Sequence, residues 1–298
     1  MEREAAIGRI GGYRSSVEPE RGEAEQGESL LGFTGDRGDE GGMPCVGYRD
    51  VEVLLGLRYP RTDQWAELSF YATGKVQELL FKLLFTEVNW VRDLLLDDVV
   101  GSALWRLRRV GHVQRMLIAS WEQLSSVTPA EFATLRDELG GIASRSQSLA
   151  YRSFWHRRLE FALGGKSPEM VAAYAAVPRL HAVIEATLRE PSLYDAVLAL
   201  LRRKGADIPV GCVERDITRP YEPHPAVERA WAEIYREASG EMYSLAEALT
   251  GLDHRYAHWR TTHLLTVRRL LDHTPETGRI PSAEHRFFPE LRAARSKA

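Results

Sequence analysis

Within residues 256–278, one histidine is placed to bind a metal in the interior of the fold. Tyr256, Trp259, His263, Val267, Leu270 and Leu271 recur at three- and four-residue spacing, so a helix puts them on one face. Arg255, Arg268, Arg269 and Asp272 fall largely on the other side. His263 then has an aromatic, Trp259, one turn before it and a branched aliphatic, Val267, one turn after it. A neutral imidazole between apolar walls, with little water, is what a haem iron needs from its proximal ligand, the flanking side chains packing the porphyrin. The same pattern describes a core histidine satisfied by a hydrogen bond.

Other chemistries find less support. His254 and His258 lie one turn apart, as chelating histidines do, but no carboxylate motif accompanies them, and a solvated helix surface explains the pair equally. Cys45 and Cys212 have neither metal-site spacing nor the look of a disulfide framework, which suits a reducing compartment. No glycine-rich phosphate loop or nucleophile elbow is present. The net charge is -3 with 27% charged residues of mixed sign, and basic runs such as Arg106-Leu107-Arg108-Arg109 and Arg157-Arg158 are short. Nucleic acid is therefore not an expected partner. No apolar run approaches membrane-spanning length, so no membrane is expected either and a cytoplasmic location is.

The elements that must hold His263 are helical. Residues 1–42 carry ten of the 24 glycines and few large apolar side chains; such a segment is expected to be disordered, or ordered only on a partner. Tyr48, Val51, Leu54 and Leu55 start a short helix. The spacing predicts a long helix over 67–84, with Leu68, Val76, Leu79, Leu80, Leu83 and Leu84 as its apolar stripe, and another over about 99–124. Thr128, Pro129 and Glu131 read as N-cap, first helical position and capping-box partner. Helices are predicted over 168–188 and 192–203, the second capped by Ser192 and Asp195 and ended by Lys204-Gly205. After an irregular stretch at 206–223, helix resumes at Pro225, with breaks expected at Gly240 and Gly251. β-branched alternation is nearly absent, so the expectation is an all-α fold, a single helical-bundle domain over 43–298.

Seven stretches in order resemble the tryptophan 2,3-dioxygenase family of all-helical haem oxygenases. They are ELLFK at 78–82, LSSVTPAEFATLRDELG at 124–140, SQSLAYR at 146–152 and LEFALGGKSPEM at 159–170, then EPSLYDAVLALLRRKGADIP at 190–209, WRTTHLLTVRRL at 259–270 and FFPEL at 287–291. The resemblance implies haem b, dioxygen as co-substrate, an indole amino acid as substrate, and a homotetramer or homodimer. It makes His263, in Trp-Arg-x-x-His, the proximal iron ligand. Arg152 resembles the arginine that pairs with the substrate carboxylate through its planar fork. Thr277 resembles the threonine at the amino acid's polar head, and Phe70 and Tyr48 resemble aromatic walls of the indole pocket.

Three departures bear on mechanism. The family's distal histidine, four residues before the glutamate of the ELLFK-like motif, is here Gly74, and the neighbouring Thr73 is a candidate replacement hydroxyl. The glycine-rich loop after the threonine is reduced to Thr277-Gly278-Arg279-Ile280-Pro281-Ser282, whose Ile280 and Pro281 restrict the backbone. SQSLAYR and LEFALGG are about five residues further apart than the family's spacing, so Arg157, three residues before Glu160, competes with Arg152. The expected activity is oxygenation of the indole ring of tryptophan or a substituted tryptophan such as a 3-methyl one, leaning to a 2-oxindole-forming monooxygenase. The alternatives are a dioxygenase making N-formylkynurenine and a non-catalytic haem-binding or sensing protein.

Overall fold

A computed structural model describes residues 62–138, 153–271 and 287–297 of the chain. All of them belong to one compact unit, Tyr59–Ala298. The glycine-rich tail, Tyr48, Arg152 and Thr277 lie outside the described residues. Among those described there is no strand, and the all-α expectation holds.

The longest elements form the frame. Helix α1, Trp65–Leu96, turns back into α2, Val100–Ala119, through a three-residue link in which Asp98 takes φ 60. Val99 N–H donates to the Leu94 carbonyl at 2.8 Å, so the reversal closes its own backbone group. A 3-10 turn, Ser120–Ser126, continues α2, and α3 covers Pro129–Glu138. The capping box at its start is present: Glu131 N–H donates to Thr128 Oγ1 and Thr128 N–H to Glu131 Oε2. Helix α4 is Phe154–Leu163, α5 Pro178–Arg189 and α6 Leu193–Arg203. After a single-turn α7, Val210–Val213, come α8, Pro225–Glu237, α9, Gly240–Leu271, and α10, Pro289–Arg295. Helix α1 packs against α2, α4 and α6, and α9 lies along α2.

Several expectations need correction. Residues 99–124 are not one α-helix, since the last part tightens into the 3-10 turn that presents Trp121. The helix expected over 168–188 breaks before Pro178: Pro168–Tyr174 is a 3-10 helix and Val177 is extended, as the residue before a proline tends to be. Gly251 does not interrupt α9. Its missing side chain makes room for the Arg255 guanidinium, which a Cβ there would approach to 3.1 Å. The stripe predicted on α1 divides: Leu80 and Leu84 are buried, whereas Leu68, Val76, Leu79 and Leu83 are exposed. The core face is set by Phe81, Leu84, Phe85, Val88 and Val91 instead.

Polar clamps fix helices that apolar periodicity alone would leave free to rotate. Glu290 of α10 is buried and accepts from Tyr194 Oη at 2.6 Å, Tyr221 Oη at 2.7 Å and His224 N–H at 2.9 Å. Lys166 is also buried, and its ammonium donates to the carbonyls of Thr187, Leu188 and Glu190 at 3.1, 2.7 and 2.6 Å. These are carbonyls left over at the end of α5, where a cation also meets the negative end of the helix dipole. Replacing Lys166 by Met strands three acceptors in the interior. We expect Lys166→Met to lose about 2–3 kcal/mol of unfolding free energy in urea, where an exposed lysine such as Lys204 would lose almost none.

Candidate haem and substrate site

His263 projects from α9 against two indole rings. Trp121, presented by the 3-10 turn after α2, stacks on the imidazole with ring centroids 4.7 Å apart and planes 16° apart. Trp259, one turn earlier on α9, lies 6.0 Å away at 18°. Burial, then the positive fields of His156 and Arg260, lower the His263 pKa from 6.5 to about 4. The ring is therefore neutral at physiological pH, with a nitrogen lone pair available to a metal. Val267 is partly buried one turn further on.

The same neighbourhood offers a fit test for haem. Trp121 Nε1 and Trp259 Nε1 are both buried and find no hydrogen-bond acceptor among the described residues. A buried N–H is rarely left so, because its lost hydration costs about 1–3 kcal/mol. Two such donors and a neutral imidazole, framed by flat apolar rings, suit a large planar ligand with polar edges. The residues fit the group.

Behind Trp259 lies a buried polar network that joins α9 to α4. His156 Nε2 is 2.6 Å from Tyr256 Oη, and Tyr256 Oη donates to Glu160 Oε1 at 3.1 Å. Glu160 Oε2 accepts from Arg157 Nη1 at 2.5 Å, and Arg260 Nη1 is 3.9 Å from Oε1. Arg157 is 6% exposed, on the helix that Glu160 ties to the His263 helix. Burial, then the negative charge of Glu160, push the Tyr256 hydroxyl pKa well above 10, so it stays a donor. Glu78 of α1 joins the assembly at the other end of α4. It takes hydrogen bonds from the Ser153 side chain and the Trp155 backbone, although burial still raises its pKa. A carboxylate at a helix N-terminus suits the exposed N–H groups there, and this one sets α4 against α1.

Helix α1 supplies the facing wall. Phe70, Gly74, Gln77 and Phe81 recur at helical spacing and share a face. Phe70 stacks on Phe132 of α3 at 5.1 Å and 23°. A Cβ placed on Gly74 meets nothing within 4 Å among the described residues, which leave open space beside the helix there. Thr73 is buried, but its hydroxyl donates to the Ser69 carbonyl at 2.8 Å, which commits its proton to its own helix. Gln77 is a polar residue on this face that the sequence did not single out; its amide donates to Ser120 Oγ at 3.1 Å, next to Trp121.

Trp121, His156, Glu160 and Tyr256 in its polar role were likewise missed. Trp121 is 142 residues from His263 along the chain, and no local signal joins them. His254 and His258 acquire no carboxylate or thiolate partners: among the described residues no group of three potential metal ligands gathers.

Comparison with known proteins adds the following. Residues 33–238 match the family described as Tryptophan 2,3-dioxygenase. A tryptophan 2,3-dioxygenase of Bacillus cereus is 34% identical over 259 residues, covering 84% of this chain and 91% of that protein. Those of Caulobacter vibrioides, 34% over 264 residues (86% and 98%), and Burkholderia pseudomallei, 34% over 253 (82% and 81%), are similar to the same extent.

The depressed His263 pKa has a measurable consequence. The unfolded chain takes up this proton near pH 6.5 and the folded chain only near pH 4, so the unfolded state binds more protons in between. Stability from this group is full above the upper value and is lost as pH falls toward the lower one, by about 3 kcal/mol. Urea unfolding of the haem-free protein at stepped pH should show this acid loss, and His263→Phe should flatten the slope in that window.

Proposed function

We propose a function from one premise: the chain belongs to the tryptophan 2,3-dioxygenase family. It is accordingly a haem-dependent tryptophan oxygenase. In our reading His263 is the proximal ligand of haem b, with Trp121, Trp259 and Val267 around it. The observation that carries this is the neutral imidazole beside two indoles whose N–H groups lack acceptors among the described residues.

Bound haem would supply the iron at which dioxygen is activated, and the chain's own residues would hold the substrate. Arg157 is our candidate for the carboxylate: its guanidinium is buried and held in place by Glu160, which engages Nη1, and by a hydrogen bond with the Tyr174 side chain. Phe70 would wall the indole ring; Tyr48 and Thr277, which the resemblance also assigns to the substrate, lie outside the described residues. At Gly74 no side chain is available to take the indole N–H proton, and the open space there would admit a substituent on the substrate. These features support oxygenation of tryptophan or a 3-substituted tryptophan to a 2-oxindole, one oxygen atom entering the ring and the other leaving as water with two electrons and two protons from an external reductant. A second reading, ring opening to N-formylkynurenine, is favoured by the similarity to the tryptophan 2,3-dioxygenases above. We take the protein to be a cytoplasmic homotetramer or homodimer; among the described residues no helix is long and apolar enough to cross a membrane.

Two experiments test this. Haem-loaded protein turned over with tryptophan and with 3-methyltryptophan under oxygen-18 gas, with a reductant such as ascorbate present, should give a product heavier by one labelled atom, with the indole ring closed. A ring-opened product carrying two labelled atoms selects the dioxygenase. Arg157→Lys keeps the charge that Glu160 needs but removes the bidentate fork, so KM for tryptophan should rise roughly tenfold to a hundredfold. The same change at Arg152 should leave KM within about threefold; the opposite pattern assigns the carboxylate to Arg152.

A further inference from the structure

Trp121 does more against His263 than fill space. The planes of Trp121 and Trp259 are 34° apart, and the imidazole divides that angle almost evenly, 16° from one and 18° from the other. The three rings therefore fan about a common axis, and both indoles together set the plane of the imidazole. Trp259 is on the same helix as His263 and moves with it. Trp121 comes from a separate segment, so it refers the ring to another part of the fold.

The turn that carries Trp121 is tied on both sides. Runs of 3-10 helix longer than three or four residues are uncommon, yet Ser120–Ser126 is seven residues long. Side chains three apart eclipse in such a turn, and Trp121 and Leu124 are both buried. On the α1 side, buried Gln77 donates from Nε2 to Ser120 Oγ at 3.1 Å, and Gln123 Nε2 donates to Ser69 Oγ at 3.4 Å. Ser120 Oγ gives its own proton to the Leu117 carbonyl at 2.7 Å, which fixes the hydroxyl as an acceptor for Gln77. On the α9 side, Arg269 Nη2 donates to the carbonyls of Leu124 and Val127 at 2.7 and 3.0 Å. Trp259 has supports of its own, Phe81 edge-on at 5.2 Å and 89°, and His156 at 5.1 Å.

We propose that Trp121 is a positioning residue for the iron ligand: it fixes the rotation of the His263 ring about its bond to the metal, and Gln77, through Ser120, holds Trp121 in register with the α1 face that carries Gly74. The proposal rests on the haem reading of His263 above. An imidazole held by a metal through one nitrogen can turn about that bond. Metal-bound histidines are ordinarily stopped from turning by a hydrogen bond from the second ring nitrogen. Among the described residues no hydrogen bond to the His263 ring forms, so stacking is the orienting force they supply. The rotation matters because the imidazole π system mixes with iron d orbitals only in the plane perpendicular to the ring, and the electronics of haem iron follow its axial ligand.

Electron paramagnetic resonance of the ferric, haem-loaded protein with azide bound is the test. The splitting of its g values follows the angle of the imidazole plane, and the line widths report how narrowly that angle is held. The wild type should give one set of narrow lines. Trp121→Leu keeps an apolar side chain without a flat face; it should shift the splitting and broaden the lines roughly twofold as stacking is lost. Trp121→Phe should stay near the wild type. Ser120→Ala leaves Trp121 in place but removes the acceptor of Gln77; it should move the spectrum part of the way, and Ser120→Thr should restore it. This second pair decides the matter if the leucine variant does not take up haem. Wild-type g values and widths in Trp121→Leu or in Ser120→Ala overturn the proposal, since a merely structural role would lower the unfolding midpoint without moving them. So does a phenylalanine variant as broad as the leucine one, or a threonine variant as broad as the alanine one. The haem reading fails in another way: a His263→Gly protein with the wild-type spectrum would place the iron on a different residue.

Discussion

The buried carboxylate of Glu160 holds together the two helices that make the site. It sits where α4 and α9 meet, accepting from Arg157 on its own helix and from Tyr256 on the other. An anion in this position is tolerable only while those donors remain, because removing one partner of a buried pair costs about 3–5 kcal/mol. The network therefore acts on register more than on total stability. A helix that slid or turned would strand the charge, so the spacing between Arg157 and His263 is determined along with it. Glu78 extends the constraint to α1 through the N-terminus of α4. Helices α1, α4 and α9 are thus joined by hydrogen bonds as well as by packing.

Within this frame the two sides of the site differ in kind. Around His263 the walls are two indoles, and the imidazole is kept neutral by burial and by nearby cations. Along α1 the wall opens at Gly74, and the neighbouring hydroxyl of Thr73 is spent on a backbone carbonyl. In the proposed reading the enclosed half would hold the haem, which must stay in place, and the open half would face the substrate, where variation in what is bound is easiest to accommodate.

Helix α1 shows how one element serves several demands. Its inward side carries Phe81, Leu84, Phe85 and Val88, continued toward the N-terminus by Phe70, Gly74 and Gln77, and its outer face carries the exposed stripe. A helix apolar on so much of its circumference has no unique inward direction by pattern alone. This is why the sequence placed Leu68, Val76, Leu79 and Leu83 in the same stripe as Leu80 and Leu84. Only the positions of α2, α4 and α6 separate the two groups.

Much of the fold was legible in the sequence. The capping boxes at Thr128 and Ser192, the helix stop at Lys204-Gly205 and the apolar face that bears His263 all follow from local chemistry: which side chain can reach which backbone N–H, and which residues recur with the turn of a helix. What lay beyond it is contact between distant segments. The stacking of Trp121 on His263, the tie from Tyr256 to Glu160 and the accommodation of Arg255 at Gly251 each link side chains by tertiary packing or by an angle round a helix that spacing does not specify. Periodicity tells a helix which of its residues share a face, through the geometry of its own backbone. It does not tell that face what it will meet, because the partner is chosen by the packing of the whole chain.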